Sequence, residues 1–128
     1  MIVVDVSVLI PYILFKDEMV EKVILEADRI FSPELYVPEC GNTILKYSNS
    51  KLINNEEATV FLQTSIDLID IFFSMHECSD DVFTLAHKEN LSYYGAQYLF
   101  LAIKLNIKLL SRDKYLNEIA KKYNLSYT

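Results

Sequence analysis

Short β-branched runs and longer stretches of helically spaced apolar residues take turns along this chain. Met1 to Val4 is an unbroken apolar run, the pattern of a parallel strand covered on both faces. Val8 to Phe15 reads as a first helix, with Pro11 in its first turn, where proline is tolerated. Asp17 to Asp28 sets Met19, Val20, Val23, Ile24 and Ala27 at helical spacing. Ile30 and Phe31 form a brief strand closed by Ser32-Pro33. A helix from Pro38 to about Tyr47 then turns Ile44 and Leu45 to the core.

The second half repeats the alternation. Asn54-Asn55-Glu56-Glu57 opens a helix with a polar cap and acids in its first turn. Val60, Phe61, Thr64, Leu68 and Ile71 form its stripe. Ile71 to Met75 is the next strand. Ser79-Asp80-Asp81 caps a helix that stops near Glu89-Asn90. Ser92 caps another through Lys104, with Ala96, Leu99, Phe100 and Ile103 inward. Ile107 to Leu110 is a strand, Lys114 to Tyr123 a helix, and Leu125 to Tyr127 a short last strand. About five strands alternating with about seven helices predict an α/β fold with a parallel sheet and helices on both faces.

Such a sheet builds its site at the carboxyl ends of its strands. Three segments set a carboxylate at or near the edge of an apolar run: Val3-Val4-Asp5-Val6-Ser7, Pro38-Glu39-Cys40-Gly41-Asn42 and Leu109-Leu110-Ser111-Arg112-Asp113. If Asp5, Glu39 and Asp113 converge, they repel one another unless a cation sits between them. That arrangement predicts a hard divalent metal and metal-assisted phosphate chemistry.

The 128 residues suit one domain spanning 1–128, with no linker, repeat or low-complexity segment. No uncharged apolar run is long enough for a bilayer, and Met1 leads straight into a strand pattern, which predicts a cytoplasmic protein with no membrane association. Cys40 and Cys78 are 38 positions apart and lack CxxC spacing, so both read as small buried or half-buried thiols. The net charge of −6 argues against broad, sequence-independent binding to a nucleic-acid backbone. A nuclease stays compatible with it, because an acidic metal pocket itself supplies negative charge.

Four blocks in register carry a resemblance. Val3-Val4-Asp5-Val6-Ser7-Val8-Leu9-Ile10 resembles the opening of PIN-domain ribonucleases, especially the VapC toxins of prokaryotic toxin–antitoxin pairs. Ser32-Pro33-Glu34-Leu35 with Pro38-Glu39 and Asn42 is similar to the family's second block. Leu91 to Ala102 and Leu109 to Leu116 are similar to its third and fourth.

The resemblance implies a PIN-like α/β/α sandwich in which Asp5, Glu39 and Asp113 bind Mg²⁺ or Mn²⁺ and serve catalysis. Ser7, Asn42 and Ser111 would hydrogen-bond those carboxylates. The implied reaction is hydrolysis of an RNA phosphodiester. Lys46, Arg112 and Lys114 are the candidate contacts to RNA backbone. A VapB-like antitoxin, an RNA substrate and a homodimer are the implied partners; a basic antitoxin segment would neutralise the pocket's surplus charge.

One position departs from the family pattern. Family members usually carry an Asp metal ligand where this chain has Gly95, although Tyr94, Ala96, Tyr98, Leu101 and Ala102 are all kept. A glycine there is odd on physical grounds too. Residue 95 falls in the first turn after the Ser92 cap, where the helix dipole favours a carboxylate. Glycine also costs ~1 kcal/mol relative to alanine inside a helix. The expectation is a reduced and more metal-demanding activity, with a catalytically silent module acting through its partner as the alternative. Gln97, two positions on, would point away from the lost ligand's direction.

Other tempting residues have plainer roles. His76 precedes Cys78 without further ligands at metal spacing, and His87 is isolated. Asp80-Asp81 and Glu56-Glu57 read as helix N-terminal acids. Tyr93, Tyr94 and Tyr98 are able to stack RNA bases, although core packing explains two of them. A receiver-type phosphoacceptor domain would need an acidic pair after the first strand and a strand-terminal lysine; neither is present.

Overall fold

The computed structural model describes residues 1–127. Among these residues four strands form one parallel sheet: β1 (Ile2–Val4), β2 (Ile30–Pro33), β3 (Ile71–Phe73) and β4 (Lys108–Leu110), in the order β3-β2-β1-β4. Seven α-helices accompany them: α1 (Val6–Phe15), α2 (Glu18–Glu26), α3 (Tyr36–Asn49), α4 (Asn55–Asp67), α5 (Ser79–Glu89), α6 (Tyr93–Leu105) and α7 (Lys114–Lys122). Ile2 pairs with Ile30 on one side of β1 and with Lys108 on the other, so the most apolar strand is interior, as its pattern requires.

Period-two alternation divides the core into two layers. Val3, Phe31 and Leu109 point to one face, where they pack with Leu99, Leu101 and Leu116 from α6 and α7. Ile2, Val4, Ile30 and Leu110 point to the other, against Leu9 and Ile10 of α1 and Tyr36 and Ile44 of α3. Helices therefore cover both faces, and the fold is an α/β/α sandwich. The connections out of β1 and into β4 lie on opposite faces, which leaves a crevice at the carboxyl ends of these neighbouring strands.

Several local expectations shift. The last strand shrinks to a single parallel bridge between Leu109 and Ser126. Ser32 and Pro33 lie inside β2 rather than beyond it. Helix α1 starts at Val6, which moves Pro11 from the first turn into the interior and removes the bond its amide would have given Ser7. Leu45 and Val60 were expected inward but are 56% and 62% exposed, and Met19 is exposed as well. Cys78, not Ser79, takes the cap position of α5, and it provides no side-chain bond. Other end signals hold: Asn54 forms a full capping box with Glu57, Ser92 accepts the Gly95 amide, and Asn90 closes α5 in the left-handed region at φ 53°. No helix among the described residues is long and apolar enough to cross a membrane.

Candidate active site

Asp5 follows β1 directly and takes the N-cap position of α1, yet its side chain makes no cap bond. It is buried, and its two oxygens accept from different hydroxyls: Ser7 at 2.5 Å and Ser111 from across the β1–β4 crevice. Ser111 also accepts the backbone N–H of Asp113 at 3.0 Å, while the Arg112 N–H donates to Ser7 at 2.8 Å. Asn117 completes the clamp by donating to the Ser111 carbonyl at 2.6 Å. The β4–α7 turn is thereby fastened to the end of β1, which explains why two sequence-distant serines belong beside one carboxylate.

Asp113 is exposed at the start of α7, where its side chain accepts the Leu116 N–H at 3.1 Å. Glu39 lies in the first turn of α3 and receives the Tyr98 hydroxyl at 2.5 Å. Asp5, Glu39 and Asp113 all line one cavity of about 460 Å³, together with Ser7, Thr43, Tyr47, Ser92, Tyr94, Gly95 and Tyr98. Four helices begin at this cavity: α1, α3, α6 and α7. Their positive ends partly offset the clustered negative charge.

The electrostatics follow from burial. Loss of solvent lifts the Asp5 carboxyl to about 6 from the ordinary 3.8; the Ser111 and Ser7 hydroxyls oppose the rise, and the charges of Glu39 and Asp113 add to it. Burial also raises Glu39 above the usual glutamate range, with the Tyr98 hydroxyl pulling the other way. Burial and the neighbouring Glu39 charge push the Tyr98 phenol far up, so it stays a donor. Cys40 is buried, and its thiol is pushed up to about 12, which leaves it inert.

The donor set suits a hard divalent cation in kind, being all oxygen, and in charge, since like-charge coupling within the pocket is what a cation relieves. As they stand, the carboxylates are turned to protein hydroxyls and amides. Among the described residues, no three His, Cys, Asp or Glu side chains are arranged to hold a metal ion. Gly95 adds no ligand, and its backbone does not demand glycine. Its φ lies outside the left-handed region, and a Cβ there would meet Ser92 Oγ at 3.3 Å and Leu91 Cδ2 at 4.0 Å.

Not every expected residue reaches the cavity. Asn42 is exposed on α3 and touches none of the carboxylates; Thr43, the next residue, lines the cavity instead. Lys46 and Lys114 are exposed outside the lining. Arg112 also lies outside it, bound to Asp17 by an ion pair. Gln97 is buried away from the cavity. Tyr98 and Asn117 have polar roles that the sequence hid: an aromatic at helical spacing reads as core, and only the fold reveals a glutamate opposite Tyr98.

This chain is 29% identical to Ribonuclease VapC3 of Pyrobaculum aerophilum over 105 residues, covering 80% of each chain. Its structure is similar to the crystal structure of PAE2754 from the same organism, with TM-score 0.74 at 20% identity, over 91% of this chain and 77% of that one. At that identity the likeness is one of fold. The family model for the PIN domain matches residues 2–122, from β1 through α7, and the chain therefore belongs to the PIN domain family.

Proposed function

We propose that this chain is an endoribonuclease of the VapC toxin type, that it works with Mg²⁺ or Mn²⁺, and that Gly95 weakens its activity. The observation that carries the proposal is the meeting of Asp5, Glu39 and Asp113, from the ends of three different elements, in one cavity. The relationship to Ribonuclease VapC3 supports RNA as substrate and a VapB-like antitoxin as partner. Exposed Phe15, Met19, Leu25 and Leu45 support a homodimer. A cytoplasmic setting and a single functional domain belong to the same reading.

Asp5 would be the central ligand, its orientation fixed by Ser7 and Ser111. Asp113 would support it from the turn between β4 and α7, and Glu39, steadied by Tyr98, would hold the attacking water by accepting its proton. When bound, the cation supplies charge stabilisation at the phosphate and lowers the pKa of a water. Gly95 favours a second reading, a silent module that acts through its partner alone.

Titration with Mn²⁺ and Mg²⁺, alongside RNA cleavage with and without chelator, separates the two. The present chain and Gly95→Asp are compared. Saturable binding and chelator-sensitive cleavage by the present chain support the nuclease. Binding and cleavage by Gly95→Asp alone identify a disabled enzyme. No gain by Gly95→Asp in either readout would sink the role given to residue 95.

A further inference from the structure

Beside the acidic cavity lies a second hollow of about 320 Å³, lined by Phe83, Ala86, His87, Asn90, Leu91 and Tyr93. The turn from α5 into α6 is shared between them: Leu91 and Tyr93 line this hollow, while Ser92, Tyr94 and Gly95 line the acidic cavity. Lining residues of the two hollows are thus sequence neighbours, whose Cα atoms are ~3.8 Å apart.

The lining is chemically unlike the acidic cavity. It holds three aromatic rings and an amide, and no carboxylate. Phe83 is 63% exposed and Tyr93 38%, a concentration of apolar ring in water that the core does not explain. Phe83 and His87, one turn apart on α5, stand edge to face with centroids 6.2 Å apart and planes at 81°. Exposed Lys88 stands beside His87, and exposed Asn90 carries an amide able to donate to and accept from a base edge.

We propose that this hollow is a nucleobase-stacking subsite, taking one base of single-stranded RNA next to the phosphate held in the acidic cavity. The proposal rests on the ribonuclease reading above. Aromatic stacking tolerates every base, while the Asn90 amide gives the subsite a means of preferring one. A protein partner is less well matched, because the hollow is small, and its continuity is with the acidic cavity rather than with the apolar residues of α2 and α3.

The test compares an oligoadenylate octamer with an abasic octamer of the same backbone, by fluorescence anisotropy on ice with Mg²⁺ and with RNA integrity checked on a gel. The intact octamer should bind about tenfold more tightly than the abasic one, the size expected for stacking one base. Phe83→Ala combined with Tyr93→Ala should erase that difference and leave abasic binding unchanged. Tyr93→Phe should keep it. Both side chains are exposed, so folding is expected to survive, and thermal melts verify that.

Unchanged octamer binding in the folded double variant overturns the subsite and leaves the ribonuclease reading intact. If neither octamer binds the unaltered chain, both fall together. Loss of self-association in sedimentation, with octamer affinity unaltered, would assign the patch to a second copy and overturn the proposal as well.

Discussion

Tyr98 donates its phenolic hydrogen to Glu39 at 2.5 Å, joining helix α6 to helix α3 in the wall of the acidic cavity. Removing that hydroxyl with Tyr98→Phe should cost about 1.5–3 kcal/mol, the range for a hydrogen bond to a charged group. The hydroxyl opposes the burial-driven rise of Glu39, so Glu39 should titrate at still higher pH in the variant. Urea melts read the first effect and carboxyl carbon NMR the second. A Glu39 titration that stays put would show that the contact does not govern its charge.

Asp5 makes a sharper pH prediction. Its folded pKa of about 6 lies above the ordinary 3.8, so the folded state holds the proton more tightly than the unfolded one. Stability from this group is full below 3.8 and is lost as pH rises through about 6. Asp5→Asn should therefore stabilise the metal-free protein at pH 8 by up to about 3 kcal/mol, at 1.36 kcal/mol for each pKa unit. Little or no gain is expected near pH 3. Urea unfolding in chelator at both pH values checks the crossover.

Glu89 predicts the opposite slope. The Lys122 ammonium and the Tyr123 hydroxyl hold its carboxyl below the ordinary 4.5, so its contribution is present above that value and is lost as pH falls through the lowered folded one. Glu89→Gln should flatten the acid limb of a thermal stability profile. It should also remove the stability that comes from Glu89 holding the Tyr123 phenol protonated, which is full below pH 10 and lost as pH rises through about 12. An unchanged acid limb would remove Glu89 from the acid response.

Gly95→Ala separates backbone from chemistry. An added Cβ needs only a few tenths of an ångström from the exposed Ser92 hydroxyl, and alanine suits a helix better. A gain of about 0.5 kcal/mol is expected, without any gain in Mn²⁺ affinity. Calorimetric titration of Gly95→Ala and Gly95→Asp together distinguishes helix repair from ligand repair.

Arg112 is held by Asp17, which also caps α2 through the amides of Met19 and Val20. Asp17→Asn keeps a capping side chain and deletes an exposed ion pair, so stability should change by about 0.5 kcal/mol or less. The freed guanidinium should strengthen RNA binding, with a steeper salt dependence. Affinity measured at two salt concentrations tests this.

The sequence made the scaffold legible where local rules act alone. The apolar run before Asp5 specified an interior strand, and Asn54, Asn90 and Ser92 marked helix ends through capping chemistry that needs no distant partner. It misled where tertiary contacts decide. Met19, Leu45 and Val60 fit helical stripes, but the stripe alone does not say which part of it the sheet covers. Motif spacing points to Asn42, whereas its position on α3 turns it to solvent and sets Thr43 towards the cavity. The final strand is shorter than its apolar pattern suggests: among the described residues it amounts to a bridge of Ser126 with Leu109.

The four helices that begin at the acidic cavity are tied in pairs: Asp5, Ser7 and Ser111 join the start of α7 to that of α1, and the Tyr98 hydroxyl joins α6 to α3. The site thus resembles a table whose legs are braced two by two. No side chain at residue 95 takes part in either brace, so a change there leaves the frame standing. A single base change turns some glycine codons into aspartate codons. In such an architecture the chemistry offered at the cavity can change at residue 95 while the braces around it do not.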